Sequence, residues 1–208
     1  MNAPQHIAIY MPSLGGGGAE RIMVNLANAL AERGHRVDLV LVKAEGPYLA
    51  NVSDKVSVVD FKARGVLQSL PALVGYLRRQ RPGSVLSVLS SANVVALLAR
   101  IFSGIRFRLV VSERSTYSMQ RNATSSLKER MYQLVIPAIY RLADAVVAVS
   151  RAAADDLVAS TGIPPRLVTT IYNFVDIDCE RFYPRAASPG IEQGSKTIFA
   201  AIVSRSVV

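Results

Sequence analysis

Short runs of Val, Ile and Leu alternate along this chain with longer segments in which apolar residues recur every three or four positions. The short runs are His6–Met11, Val37–Val42, Val56–Phe61, Ser84–Leu89, Arg108–Ser112, Ala145–Val149 and Val168–Tyr172. Most are continuously apolar instead of alternating, which predicts parallel strands covered on both faces. Between the first two, Ile22, Met23, Leu26, Ala27 and Leu30 keep helical spacing over Ala19–Arg33, and Gly34 closes the helix. Val66–Arg81 and Ala92–Phe102 repeat the pattern, ended by Pro82 and Gly104. Thr124–Ala143 predicts a longer amphipathic helix with Leu127, Met131, Leu134, Val135, Ala138 and Leu142 inward. Pro137 should kink or split it, because proline removes a backbone donor. Ser150 is placed to cap a helix over Arg151–Thr161, which runs into Gly162 and the Pro164–Pro165 turn. Such alternation implies an α/β fold: a doubly wound, mostly parallel, Rossmann-like sheet with right-handed crossovers.

After Tyr183 the pattern changes. Residues 184–196 are polar and rich in Pro, Gly and Ser, as in a linker. "TIFAAIV" (197–203) reads as one more buried strand. The expected organisation is therefore a Rossmann-like domain over 1–183, a linker over 184–196, and in 197–208 the first strand of a further domain that the chain does not contain.

Composition narrows the class. Half of the 208 residues are hydrophobic, enough for a sizeable core. Cys179 is the only cysteine and has no internal partner, which fits a reducing compartment. "HIAIYM" lacks the basic flank and cleavage site of a secretory leader, and no apolar run reaches the roughly 18 residues of a membrane span. The expectation is a soluble, cytoplasmic protein. The net charge of +9 is concentrated: residues 62–130 hold twelve Lys or Arg against Glu113 and Glu129. Such a stretch suits a phosphate-bearing ligand, an acidic membrane surface or nucleic acid, and equally a solvated basic surface. Scattered aromatics (Phe102, Phe107, Tyr117) and the lack of a nucleic-acid module count against a nucleic-acid-binding domain.

The chemistry-bearing motif is "SLGGGGAER" (13–21). A turn from the first strand into a helix brings free backbone N–H groups and the positive end of the helix dipole to the carboxyl ends of the strands. Glycines at 15–18 let an anion approach without a Cβ in the way, although a packed turn with no ligand fits the same residues. The spacing is not that of a dinucleotide fingerprint. The last glycine is missing, and Asp38 begins the second strand where an acid should end it, which weighs against a dinucleotide-dependent oxidoreductase. His6 and His35 are isolated, so no metal cluster is expected.

"GGGGAERIMVNLANALAERGHRVDLVLV" resembles the first βαβ unit of the retaining GT-B glycosyltransferases of family 4. "ADAVVAVSRAAADDLVASTGIPPRLVTTIYNFVD" is similar to that family's exit from its N-terminal domain, with Ile171, Asn173, Val175 and Asp176 matching. Asp178, Arg181 and Phe182 match the stretch that follows. The resemblance implies the acceptor domain of an enzyme that moves sugar from a nucleotide-sugar to a glycan or lipid-diphosphate acceptor in envelope polysaccharide synthesis. No cofactor or metal is implied. It implies that Gly15, Gly16, Gly17 and Gly18 face the donor diphosphate, and that Ser112, Glu113 and Arg114 lie on the acceptor side. Glu113 could orient or deprotonate an acceptor hydroxyl and Arg114 could pair with a phosphate, while a structural ion pair is the alternative for both. Ser150 and Asn173 are candidates for shaping the cleft. Without the family's donor domain, the chain is not expected to transfer sugar by itself. The basic stretch could rest on an anionic membrane at its inner face, and no nucleic-acid partner is implied.

Overall fold

In the computed structural model, which describes residues 3–114, 116–119 and 127–172, the seven expected strands form one sheet. They are β1 (His6–Met11), β2 (Arg36–Leu41), β3 (Val56–Asp60), β4 (Ser84–Val88), β5 (Arg108–Glu113), β6 (Ala145–Ala148) and β7 (Val168–Thr170). Their order is β3-β2-β1-β4-β5-β6-β7 and every pairing is parallel, with Ile7 beside both Val37 and Ser84. Five helices make the crossovers: α1 (Gly18–Glu32), α2 (Leu70–Gln80), α3 (Ser90–Ser103), α4 (Leu127–Ile139) and α5 (Arg151–Thr161). Asn173, the linker 184–196 and the strand expected within 197–208 lie outside the described residues.

The side-chain alternation of β1 shows why its run is apolar throughout. Ile7, Ile9 and Met11 pack with Met23, Leu26 and Leu30 of α1. Ala8 and Tyr10 point the other way, into a layer that includes Leu73 of α2, Leu97 of α3, Ile136 of α4 and Leu157 of α5. A strand covered on both sides has no position for a solvated side chain.

α4 departs from expectation. Its inward residues are Ile136 and Ile139, followed by Tyr140 and Ala143. Met131, Leu134, Val135 and Leu142, expected inside, are 60%, 73%, 42% and 46% exposed, and Ala138 is exposed with them. The sequence holds two apolar stripes: 131, 134, 135, 138 and 142, and 132, 136, 139, 140 and 143. In helical projection each covers an arc of about 100°, and their centres lie roughly 140° apart. The second stripe is the one that packs inward, with Ile136 and Tyr140 fully buried. Pro137 does not split the helix; the chain continues to Ile139 and tightens to a 3₁₀ turn at Tyr140–Leu142.

At the amino-terminal edge, His6 Nε2 and the Tyr76 hydroxyl converge on Asp38 Oδ2, at 2.8 and 2.6 Å. Asp38 thus ties β1, β2 and α2 together at the edge opposite the strand carboxyl ends.

Candidate functional site at the strand carboxyl ends

The strand order reverses between β1 and β4, so α1 and α3 leave neighbouring strands on opposite sides of the sheet. That divergence opens a crevice at their amino termini, where ligands bind in open α/β sheets. The glycine loop forms one wall. Gly15–Gly18 are all exposed, Gly16 has φ +103°, and Gly17 stands at the N-cap of α1 with no side chain accepting from the first turn. The orphan N–H groups of α1 therefore have no N-cap side chain to accept from them. Glu20, in the third helical position, folds back towards them: a Cβ on Gly17 would come within 2.5 Å of Glu20 Oε2.

The loop is held from behind by the turn after β2. Leu14 N–H donates to the Glu45 carbonyl at 2.9 Å. Gly46 lies so close that a Cβ there would overlap the Leu14 carbonyl, and its φ is +117°, a region that strains any side chain. The Gly46–Pro47 dipeptide signals a turn in the sequence, but nothing in the sequence says that this turn presses on the first loop.

The opposite wall is the end of β5 and the start of α3. Glu113, a candidate base in the sequence reading, is turned inward and only 2% exposed. Its carboxyl accepts from Ser90 Oγ at 2.8 Å, from Asn93 Nδ2 at 3.2 Å and from the Tyr140 hydroxyl. Asn93 Nδ2 also reaches the Tyr140 oxygen and the Ser112 carbonyl. Burial pushes the Glu113 carboxyl pKa up, opposed by the donors from Tyr140, Ser90 and Asn93, and burial likewise raises Tyr140 well above an ordinary phenol. Ser112 is buried and contributes its carbonyl, which also receives Leu89 N–H. These groups lock β5 to α3 and α4. Nothing in the sequence marks Ser90, Asn93 and Tyr140 as partners of Glu113.

Arg114 is half-buried one residue further on. Desolvation lowers its pKa, and the negative charge of Glu20 opposes that fall. Arg114 on this wall thus feels the charge of Glu20 on the first turn of α1. Ser150 keeps its expected place: its Oγ accepts from Ala153 N–H at 3.1 Å and caps α5. Ser150→Ala is expected to lower stability by about 1 kcal/mol, read as a shift of the denaturation midpoint, with ligand binding at the glycine loop unchanged.

The family model described as Glycosyltransferase Family 4 matches residues 16–179, from the glycine loop across the sheet. The chain belongs to glycosyltransferase family 4. As a family 4 chain it is 26% identical over 196 residues to a Campylobacter jejuni enzyme. That enzyme is the N-acetylgalactosamine-N,N'-diacetylbacillosaminyl-diphospho-undecaprenol 4-alpha-N-acetylgalactosaminyltransferase, and the match covers 84% of this chain and 49% of the relative. Among solved structures, Anabaena HepE in complex with UDP-glucose aligns with a TM-score of 0.64 at 21% identity, covering 95% of this chain and 50% of that one. A glycosyltransferase from Rickettsia africae gives a TM-score of 0.64 at 15% identity, covering 98% and 51%. The chain thus spans about half the length of the relatives it matches, and it has the α/β, Rossmann-like fold of GT-B glycosyltransferases.

Proposed function

We propose that this family 4 domain forms the acceptor side of an enzyme that moves sugar from a nucleotide-sugar to a glycan on a lipid diphosphate, in envelope polysaccharide synthesis at the inner face of the membrane. The observation that carries the reading is the uncapped amino terminus of α1, bare over Gly15–Gly18 at the reversal point of the sheet. Backbone N–H groups at a helix amino terminus bind phosphate oxygens. The lipid-diphosphate class comes from the Campylobacter relative, whose name states a diphospho-undecaprenol acceptor, and from the basic stretch 62–130.

In this reading Gly15, Gly16, Gly17 and Gly18 receive the donor diphosphate. Arg114, partly stripped of water, neutralises charge that develops as the diphosphate leaves. A phosphate arriving at α1 displaces the Glu20 carboxylate from Gly17, and Arg114 is the cation that receives it. Glu113 acts through others: it fixes the end of β5 and thereby the placement of Arg114, as a positioning residue. Retention of configuration is the family's outcome, and the reading needs no metal or other cofactor.

The test is transfer of labelled sugar from a panel of nucleotide-sugars to polyprenyl-diphosphate acceptors, with the protein expressed from its whole gene. Product extractable into butanol is expected. No product from any donor would sink the proposal. Arg114→Gln is expected to lower kcat/KM about tenfold or more, while Ser150→Ala leaves it unchanged.

A further inference from the structure

We infer that α4 is a membrane-docking element, which lays its outward apolar stripe into the headgroup boundary of an anionic bilayer. Met131, Leu134, Val135 and Leu142 lie along one line of the helix and its 3₁₀ extension and are between 42% and 73% exposed. A single exposed leucine is ordinary, but a continuous apolar line left exposed among the described residues marks an interaction surface. Arg130 and Arg141 stand exposed at the two ends of the line, and residues 130–142 contain no acid. The line is about 17 Å long at 1.5 Å per residue, too short to span a bilayer and suited to lying in its surface.

The charge identifies the occupant. A two-fold pairing of this face with a second copy would set Arg130 of one helix against Arg141 of the other, with no carboxylate on the stripe to relieve them. Nucleic acid would satisfy the arginines and leave the apolar line in water. An anionic lipid surface satisfies both, because acyl chains accept the apolar groups and phosphates accept the arginines. Binding by an apolar face together with a basic one is the two-signal arrangement that makes peripheral attachment stable. α4 follows β5 and Arg114 in the chain and is tied to β5 by Tyr140, just beyond it, which bonds Glu113. A bilayer under α4 would therefore hold the crevice at a fixed height above the lipid. This last point rests on the proposed lipid-linked acceptor; the docking itself does not.

The test uses the 208-residue chain and vesicles that contain no acceptor lipid, so it is independent of whether transfer occurs. The chain is expected to float with phosphatidylcholine vesicles that contain phosphatidylglycerol, less with phosphatidylcholine alone, and progressively less as salt rises. Met131→Glu with Leu134→Glu is expected to lower the partition coefficient about tenfold or more, with an unchanged melting curve, because both side chains are already in water. Arg130→Gln with Arg141→Gln should weaken binding to the anionic vesicles only. The chain has no Trp, so Leu134→Trp places a single indole on the stripe, whose emission should shift to the blue on adding anionic vesicles. Failure of the unmodified chain to bind anionic vesicles at low salt would overturn the inference. So would an unshifted indole, full binding by the double Glu variant, or a dimer that this variant dissolves. Absent sugar transfer with intact flotation would instead count against the proposed function alone.

Discussion

Glu113→Ala is expected to destabilise the domain by about 3–5 kcal/mol, the largest effect of any single substitution at the crevice. The carboxyl sits in the middle of buried donors. The Tyr140 hydroxyl loses its acceptor, and Ser90 Oγ and Asn93 each lose a bond. Tyr140 and Asn93 are fully buried and Ser90 nearly so, so no water replaces the lost bonds. Glu113→Gln is the informative companion, since its amide keeps an oxygen for Tyr140 and removes the charge. The sign of the pH dependence follows from the raised carboxyl pKa. The folded state holds the proton to higher pH than the unfolded chain, so this group's contribution is fully present below the ordinary Glu value of about 4.3 and is lost as pH rises towards the folded value. The Gln variant should lack that loss and show a flatter stability profile over the same window. Denaturant titrations at several pH values decide it. A Glu113→Ala protein as stable as the unmodified one would mean that the carboxyl does not hold the network together.

Gly46→Ala is expected to lower stability by about 3 kcal/mol, from a side chain forced into a left-handed region and against a neighbouring carbonyl. Its functional effect should exceed its stability effect. The overlap falls on Leu14, whose N–H bond to Glu45 fixes the strand end from which the glycine loop departs. Relief of the clash requires the two loops to part, which moves Gly15–Gly18. A displacement of about 1 Å at a phosphate-binding wall is enough to reduce turnover on the order of a hundredfold. A denaturation midpoint and a kcat/KM measurement on the same preparation separate the two. Normal turnover in a destabilised Gly46→Ala protein would show that the loops are not coupled.

These two residues mark where sequence reading reaches its limit. The strands were legible because burial on both faces leaves a run of Val, Ile and Leu that few other structures share, and all seven expected strands form. The exposed loop at Gly15–Gly18 was legible because glycine is the residue that bares the backbone. Glu113 was found by position but its direction was not: the side chain after Ser112 points inward because Ser90, Asn93 and Tyr140, none near it in sequence, converge there. Gly46 was missed because its constraint is a distance to Leu14. α4 failed for a different reason. Both of its stripes obey helical periodicity, and only the neighbouring helix and sheet decide which is covered.

The strand order also sets a timetable for synthesis. β1 pairs on one side with β2, the next strand made, and on the other with β4. Residues 12–83 must all leave the ribosome before β4 begins to appear, roughly 4–15 s at 5–20 residues per second. During that interval one edge of β1 presents unpaired N–H and C=O groups along a strand whose side chains are all apolar from Ile7 to Met11. Such an edge invites pairing with another nascent chain. An interior strand of the finished sheet is thus the exposed margin of the unfinished one, and the yield of soluble protein should depend on how quickly translation carries the chain through β4.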